Sequence, residues 1–196
     1  MSYISGGASS HGPASAPLSW PPLNFCMVLP GVYRSGHPND KNFPFMDKLN
    51  LRSIMYLSSD DYRQHTKSWA EARGLHVFHH RVECSKEPFV EPDTDIVVLA
   101  LEQIIDTRNL PILIHDNKGR LMPSILIGLI RLMCHWSFTA MLQEYRSFLP
   151  DEKVWAEGEV GKPDKGRERI ADIEFIDRFP LERVTFDPQY RPAWLE

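Results

Sequence analysis

The residues with the clearest chemical potential follow a short apolar run near the middle of the chain. After Ile112–Ile114 come seven residues of which six are polar or glycine, and a second apolar segment then begins: His115, Asp116, Asn117, Lys118, Gly119, Arg120, Leu121. A loop between a buried strand and a helix brings backbone N–H groups together at the positive end of the helix dipole. A glycine inside such a loop permits a left-handed turn or a close backbone approach. The pattern predicts an anion cradle, which is common among α/β proteins of many functions.

The elements that would position this loop are predicted on both sides of it. Residues 111–115 are continuously apolar up to His115, as in strands buried on both faces of a parallel sheet. A helix is predicted over residues 123–135, with Pro123 in its first turn, where a missing N–H costs nothing. Strands at residues 32–34, 52–57 and 75–82 alternate with helices at 43–49, 60–74, 93–107, 137–148 and 168–179. This alternation predicts an α/β fold with three layers.

The overall composition bounds the classes of function. The chain has 196 residues, 42% of them hydrophobic, and a net charge of −4. We therefore expect one main domain at residues 20–184, a disordered leader at 1–19 and an irregular tail at 185–196. The charge gives no reason to expect nucleic acid or an anionic membrane as a partner.

Targeting and cofactor signals are weak. The three cysteines are widely spaced, so neither a disulfide framework nor a zinc site is expected, and we predict no metal and no cofactor. Residues 1–19 lack the basic start and apolar core of a signal peptide, and the apolar stretch at 125–133 is too short to span a bilayer. We expect a cytoplasmic location.

Several blocks outside the loop resemble the plant and fungal atypical dual-specificity phosphatases, a family similar to the protein tyrosine phosphatases. The resemblance runs from about Pro21 to Phe179. It rests on residues 20–25, 30–36, 42–45, 86–89, 109–115, 128–131, 136, 144–145, 172 and 175–176. It implies a cysteine-phosphatase-like fold with a short, mostly parallel central sheet flanked by helices. It also implies substrates such as phosphotyrosine or inositol pyrophosphates.

The family's phosphate loop carries a nucleophilic cysteine and, six residues later, an arginine that binds phosphate. On this chain the cysteine position falls on Asp116, the arginine position on Met122 and the final glycine on Ser124. No cysteine anywhere in the chain is followed by an arginine at that spacing. The rest of the loop keeps the family pattern, with Arg120 retaining the charge of a lysine, and forms a phosphate-loop remnant: His115, Asn117, Lys118, Gly119, Arg120.

The missing thiolate predicts a pseudophosphatase, because cysteine phosphatases attack phosphorus through a low-pKa sulfur. We expect weak or absent binding of phosphorylated ligands, and a role in binding or in scaffolding related phosphatase-family subunits. Asp116 is expected to fill the cradle with its own carboxylate. An active phosphatase using other residues is an alternative, although an aspartyl-phosphate route usually needs Mg²⁺ and a second acid. A non-hydrolytic sensor of inositol polyphosphates, acting through Lys118 and Arg120, is another.

Other candidate residues have a structural interpretation beside the functional one. Arg34 could pair with a core carboxylate rather than with a ligand, and a structural role is favoured. His79 and His80 should point to opposite faces of a strand, so they cannot simply share a metal ion. Three acidic residues sit where a general-acid loop could lie, but loop solvation or helix capping is favoured: Glu87, Glu91, Asp93. Trp155 could anchor a partner, but it is expected to pack onto the domain.

Overall fold

The computed structural model describes residues 19–82, 91–149 and 170–195. The strands, numbered along the chain, are β1 Cys26–Leu29, β2 Val32–Ser35, β3 Ser53–Leu57, β4 His76–His80 and β5 Ile112–His115. The helices are α1 Phe43–Met46, α2 Gln64–Ala72, α3 Thr94–Ile104, α4 Met122–Met133, α5 Phe138–Ser147 and α6 Ile170–Arg178. Short 3₁₀ turns lie at Asp47–Leu49, Thr107–Asn109, Leu181–Arg183 and Pro188–Tyr190.

The five strands form one sheet in the order β1-β2-β5-β3-β4. All neighbouring pairs are parallel except β1 with β2, which is antiparallel. The predicted α/β fold with a mostly parallel sheet is therefore confirmed. The edge strand β1 was not predicted, because four residues of mixed exposure carry no clear alternation and the strand is defined only by its pairing with β2.

Helices cover both faces of the sheet and make two separate cores. On one face, Trp69 of α2 packs with Ile54 and Leu113 of the central strands. On the other, Leu126 of α4 belongs to a larger cluster that also includes residues of α3, α5 and α6. A sheet covered on both faces needs nearly all-apolar central strands, which is why β3 and β5 are completely buried.

Local signals at helix ends were right in some places and wrong in others. Asp93 caps α3 as predicted, with its carboxylate accepting from the N–H groups of Asp95 and Ile96. The prediction that Asp60 or Asp61 opens α2 was wrong, because the helix begins at Gln64 without a side-chain cap. The two aspartates are engaged elsewhere, Asp60 with Asn117 and Asp61 with Arg81.

The last described residues fold back onto the domain. Thr185 donates to Glu102 of α3 through both its N–H and its hydroxyl, and Leu195 is buried. The predicted leader and the segment containing Trp155 lie outside the described residues. Within the described ranges, no helix is long and apolar enough to cross a membrane.

Candidate functional site

The predicted cradle loop lies at the centre of the sheet, where β5 ends and α4 begins. Its two neighbours β2 and β3 run parallel to β5, so their carboxyl ends meet the loop at the same edge. This edge is where open α/β sheets commonly bind ligands. Residues 116–121 therefore occupy the position where a phosphate loop would act.

The loop is clamped by the end of β2. Gly119 has φ +74°, and a Cβ there would lie 2.5 Å from the backbone N of Gly36 and 2.5 Å from the carbonyl carbon of Ser35. The Asn24 side chain also donates to the Lys118 carbonyl at 2.8 Å. No side chain fits at position 119, which explains the glycine by contact with the backbone as well as by the left-handed turn.

The Asp116 side chain fills the cradle itself. Its Oδ1 accepts from Lys118 N–H at 2.8 Å and from Gly119 N–H, and its Oδ2 accepts from Leu121 N–H at 3.2 Å. The residue is 6% exposed. The expectation that this carboxylate takes the hydrogen bonds a phosphate would accept is confirmed.

Two opposing effects act on the protonation of Asp116. Burial raises the pKa of its carboxyl above the ordinary value, because a charge is unfavourable away from water. Hydrogen bonds from the loop N–H groups favour the carboxylate and limit that rise. The result is a carboxyl group that gains a proton more readily than a surface aspartate does.

The other loop residues point in different directions. Met122 is buried at the first turn of α4, and Lys118 is exposed. Arg120 is half-buried, and its Nε has no hydrogen-bond partner. The Asn117 amide donates to Asp60 at 2.7 Å and its oxygen accepts from the Tyr56 hydroxyl at 3.2 Å, so Asn117 fixes the outer rim of the loop. Within residues 116–121, the cationic side chains are those of Lys118 and Arg120.

Arg34 lies behind the loop. It is 1% exposed, and its Nη2 donates to the Gly119 carbonyl at 2.6 Å and to Ser124 Oγ at 2.8 Å. Its guanidinium carbon lies 3.5 Å from the centre of the Phe148 ring. The group therefore contacts a carbonyl, a hydroxyl and an aromatic face rather than the suggested core carboxylate, in keeping with the favoured structural role.

Sequence reasoning missed this proximity of Arg34 to the loop, although a signal was present. Arg34 stands near the carboxyl end of a strand that is parallel to β5. The carboxyl ends of adjacent parallel strands lie together, so the pairing of β2 with β5 would have predicted it.

His115 belongs to a cluster of rings beneath the loop. It is fully buried, its Nε2 lies 3.3 Å from the Tyr62 hydroxyl, and its ring centre is 5.0 Å from that of His37. Burial lowers the pKa of His115 well below its ordinary value, and burial also lowers the pKa of His37 to about 4. Both imidazoles are therefore neutral near pH 7.

The remaining candidates are not brought to the loop. His79 contacts the Ser58 carbonyl, whereas His80 bonds the Gln103 side chain, and no group of metal-binding residues occurs in the described ranges. Glu91 pairs with Arg178, while Glu87 lies outside the described residues. The cysteines Cys26 and Cys134 are free, and they lie on β1 and just after α4 rather than in the loop.

Comparison with known proteins decides the family. A profile described as the tyrosine phosphatase family matches residues 19–159, which is most of the chain. The chain belongs to the tyrosine phosphatase family. The sequence resemblance to the atypical dual-specificity branch is borne out by its relatives, which include plant and yeast inositol diphosphatases.

Two relatives of this tyrosine phosphatase family member cover most of both chains. The inositol diphosphatase DSP4 of Arabidopsis thaliana is 32% identical over 168 residues, covering 86% of this chain and 77% of its own. The probable tyrosine-protein phosphatase DG1060 of Dictyostelium discoideum is 33% identical, covering 89% and 95%. The solved catalytic domain of the PP-IP phosphatase SIW14 from S. cerevisiae, in complex with citrate, superimposes with a TM-score of 0.68 at 29% identity, covering 83% and 88%.

Proposed function

We propose that this tyrosine phosphatase family member is a pseudophosphatase, whose loop binds its own aspartate and does not hydrolyse phosphate esters by the cysteine route. The observation that carries the proposal is the Asp116 carboxylate, which accepts from three N–H groups of the cradle. The loop contains no thiol to attack phosphorus, and the first turn of α4 carries Met122 where the family has an arginine. Both the nucleophile and the main anion clamp are absent from the loop.

Electrostatics also disfavours a phosphorylated ligand at this loop. A carboxylate about 4 Å from one phosphate charge repels it by roughly 4 kcal/mol near a protein surface. Each charged hydrogen bond lost with an arginine removes roughly 1.5–3 kcal/mol. Together these losses are comparable to roughly 8 kcal/mol, which is the binding free energy of a micromolar ligand. Weak or absent phosphate binding follows from the proposal.

The fold itself then supplies the function, as a binding or scaffold subunit. The loop is held by its own hydrogen bonds to Asp116 and by its backbone contact with β2, so its surface is available for contacts with a partner. Related phosphatase-family subunits are the partners we propose. Co-expression with a sibling phosphatase followed by affinity capture should recover both chains, and failure to recover any sibling would contradict this part of the proposal.

The relatives support a second candidate function, hydrolysis of phosphotyrosine or of inositol pyrophosphate. Plant and yeast relatives are named inositol diphosphatases, and a whole-domain structural match is a PP-IP phosphatase. An active enzyme on this chain would need a nucleophile other than a loop cysteine. Asp116 is the group at that position, and it would have to leave its hydrogen bonds to attack.

A turnover assay with the purified full chain separates the two functions. An inositol pyrophosphate and a generic aryl phosphate are the substrates, and wild type is compared with Asp116→Ala. We expect both proteins to release phosphate at the rate of buffer alone. Phosphate release by wild type that disappears in Asp116→Ala would overturn the pseudophosphatase proposal and establish hydrolysis through Asp116. Release that persists in Asp116→Ala would overturn it too, and would place the nucleophile elsewhere.

Binding without hydrolysis is tested by calorimetry with an inositol polyphosphate. The exposed Lys118 and the half-buried Arg120 are the cations that favour it. Heat in wild type that is lost when both are changed to alanine would support a sensor. We expect no heat in wild type at millimolar ligand.

A further inference from the structure

Arg34 is the most deeply buried cation near the loop, and most of its hydrogen-bonding capacity is unused. Nη2 makes the two bonds described above, while Nε and Nη1 are buried without hydrogen-bond partners. Removing an arginine from water without full pairing is costly. A nearby negative charge or a polarised acceptor has to offset that cost for the group to stay in place.

Gly119 joins Arg34 to the Asp116 carboxylate. The Gly119 N–H donates to Asp116 Oδ1, and the Gly119 carbonyl accepts from Arg34 Nη2. The arginine and aspartate side chains make no direct ion pair within 4.0 Å. One glycine therefore bonds the carboxylate through its N–H and the guanidinium through its carbonyl.

Two carboxylates lie around Arg34. Asp116 in the loop and Glu144 on α5 both favour the cationic form of Arg34, and Asp116 has the larger influence. Glu144 is already bound to Arg131 by two hydrogen bonds, so its charge is largely compensated.

Burial lowers the pKa of Arg34 to about 10, which still leaves it a cation at neutral pH. A buried cation beside a buried carboxylate at the start of α4 is electrically balanced, whereas either charge alone would be unfavourable. The charge balance and the Gly119 bridge point to the same pairing.

We propose that Arg34 is the counter-cation of the occupied cradle, acting from β2 through the Gly119 bridge. Ser124, at the position of a family glycine, supplies the hydroxyl that anchors Arg34. Arg34 is thus a positioning residue that holds the self-filled loop. The inference rests on the proposed function, since a loop that turned over substrate would need the cradle free.

The test follows the Arg34 side chain by NMR in the full-length protein between pH 3 and pH 8. Because burial places the pKa of Asp116 above its ordinary value, the carboxyl titrates in a range where the Arg34 ¹⁵Nε shift can report it. We expect a titration step in wild type and no step in Asp116→Asn. Glu144→Gln is the matched control, and the step should remain in it. A flat wild-type curve, or a step lost only in Glu144→Gln, would overturn the proposal.

A second measurement reads the coupling from the aspartate. The Asp116 carboxyl ¹³C titration should move to higher pH in Arg34→Met, because an opposite charge is removed. Arg34→Lys retains the charge and should restore most of the wild-type value. An unchanged Asp116 titration in a folded Arg34→Met protein would contradict the proposal. If Arg34→Met does not fold, the wild-type and Asp116→Asn curves decide alone.

These measurements are independent of turnover. Phosphate release in the enzymatic assay together with a coupled Arg34–Asp116 titration would overturn only the proposed function. Absence of turnover together with a flat Arg34 curve would overturn only the role assigned to Arg34.

Discussion

At the scale of single residues, the loop is defined by backbone contacts that leave no room for substitution. Gly119 touches the backbone of Ser35 and Gly36, and its two peptide groups serve Asp116 and Arg34. Asp116 supplies an internal anion, so the converging N–H groups are satisfied without a ligand. Filling of the cradle by Asp116 therefore stabilises the loop and, under the proposed function, also excludes a phosphorylated ligand.

Gly119→Ala should be among the most destabilising small changes in the chain. The new methyl would meet the backbone 2.5 Å away and would also be forced into a left-handed conformation. We expect a loss of at least about 3 kcal/mol in the free energy of unfolding, measured by urea denaturation.

The matched control for that change is Gly74→Ala. Gly74 also has a positive φ, +66°, but a Cβ there meets nothing within 4 Å. Conformational strain alone should cost about 1 kcal/mol. Equal losses of unfolding free energy in Gly119→Ala and Gly74→Ala would show that the contact with β2 does not constrain the loop.

At the scale of elements, a buried ion pair ties α4 to its neighbours. Arg131 of α4 binds Glu144 of α5 and the Val28 carbonyl of β1, and it stacks on Trp136. The side chains of the pair are only 8% and 19% exposed. This contact sets the orientation of α4, whose first turn closes the loop.

Arg131→Met should destabilise the protein by about 3 kcal/mol, because Glu144 and the Val28 carbonyl lose their partner away from water. Arg81→Met is the comparison, since Arg81 pairs with Asp61 on the surface, where the side chains are 61% and 89% exposed. That change should cost less than about 1 kcal/mol. Urea denaturation of both variants checks the difference, and similar losses would contradict the assigned role of burial.

The cap of α3 gives a second test at this scale. Asp93→Ala removes the acceptor for two N–H groups at the start of the helix and should cost about 1 kcal/mol in thermal or urea unfolding. Asp93→Asn retains a capping oxygen, so its free energy of unfolding should lie within a few tenths of a kcal/mol of the wild-type value. A loss in Asp93→Asn as large as that in Asp93→Ala would assign the effect to charge rather than to capping.

At the scale of the whole molecule, the ring cluster under the loop couples stability to pH. The native state keeps His37 neutral until about pH 4, while an unfolded histidine gains its proton near pH 6.5. Between these values the unfolded state binds more protons, so the free energy of unfolding falls as the pH falls. His115 acts in the same direction, because burial also lowers its pKa.

Between pH 6.5 and pH 4, the free energy of unfolding should fall by about 2 kcal/mol more in wild type than in His37→Phe. Urea denaturation at a series of pH values checks this, with the exposed His76→Gln as the control that should follow wild type. Parallel curves for wild type and His37→Phe would contradict it. The raised pKa of Asp116 acts in the opposite direction, so the difference between the two curves isolates His37.

The sequence by itself determined the features whose causes are local. The continuous apolar run before His115 predicted a buried parallel strand, Asp93 predicted a helix cap, and the position of Asp116 in a glycine-containing loop predicted a self-filled cradle. Each depends on residues within one turn or one strand. The blocks shared with the phosphatase family also predicted the fold, because they extend over most of the domain.

Only the tertiary structure decided which distant groups meet. The strand β1 exists through its pairing with β2, and Asp60 bonds Asn117 across 57 residues instead of capping a nearby helix. Arg34 lies behind the loop because β2 is placed beside β5, a neighbour 80 residues away in the chain. Long-range contacts of this kind depend on sheet order, and sheet order is set by the packing of both cores rather than by any local pattern.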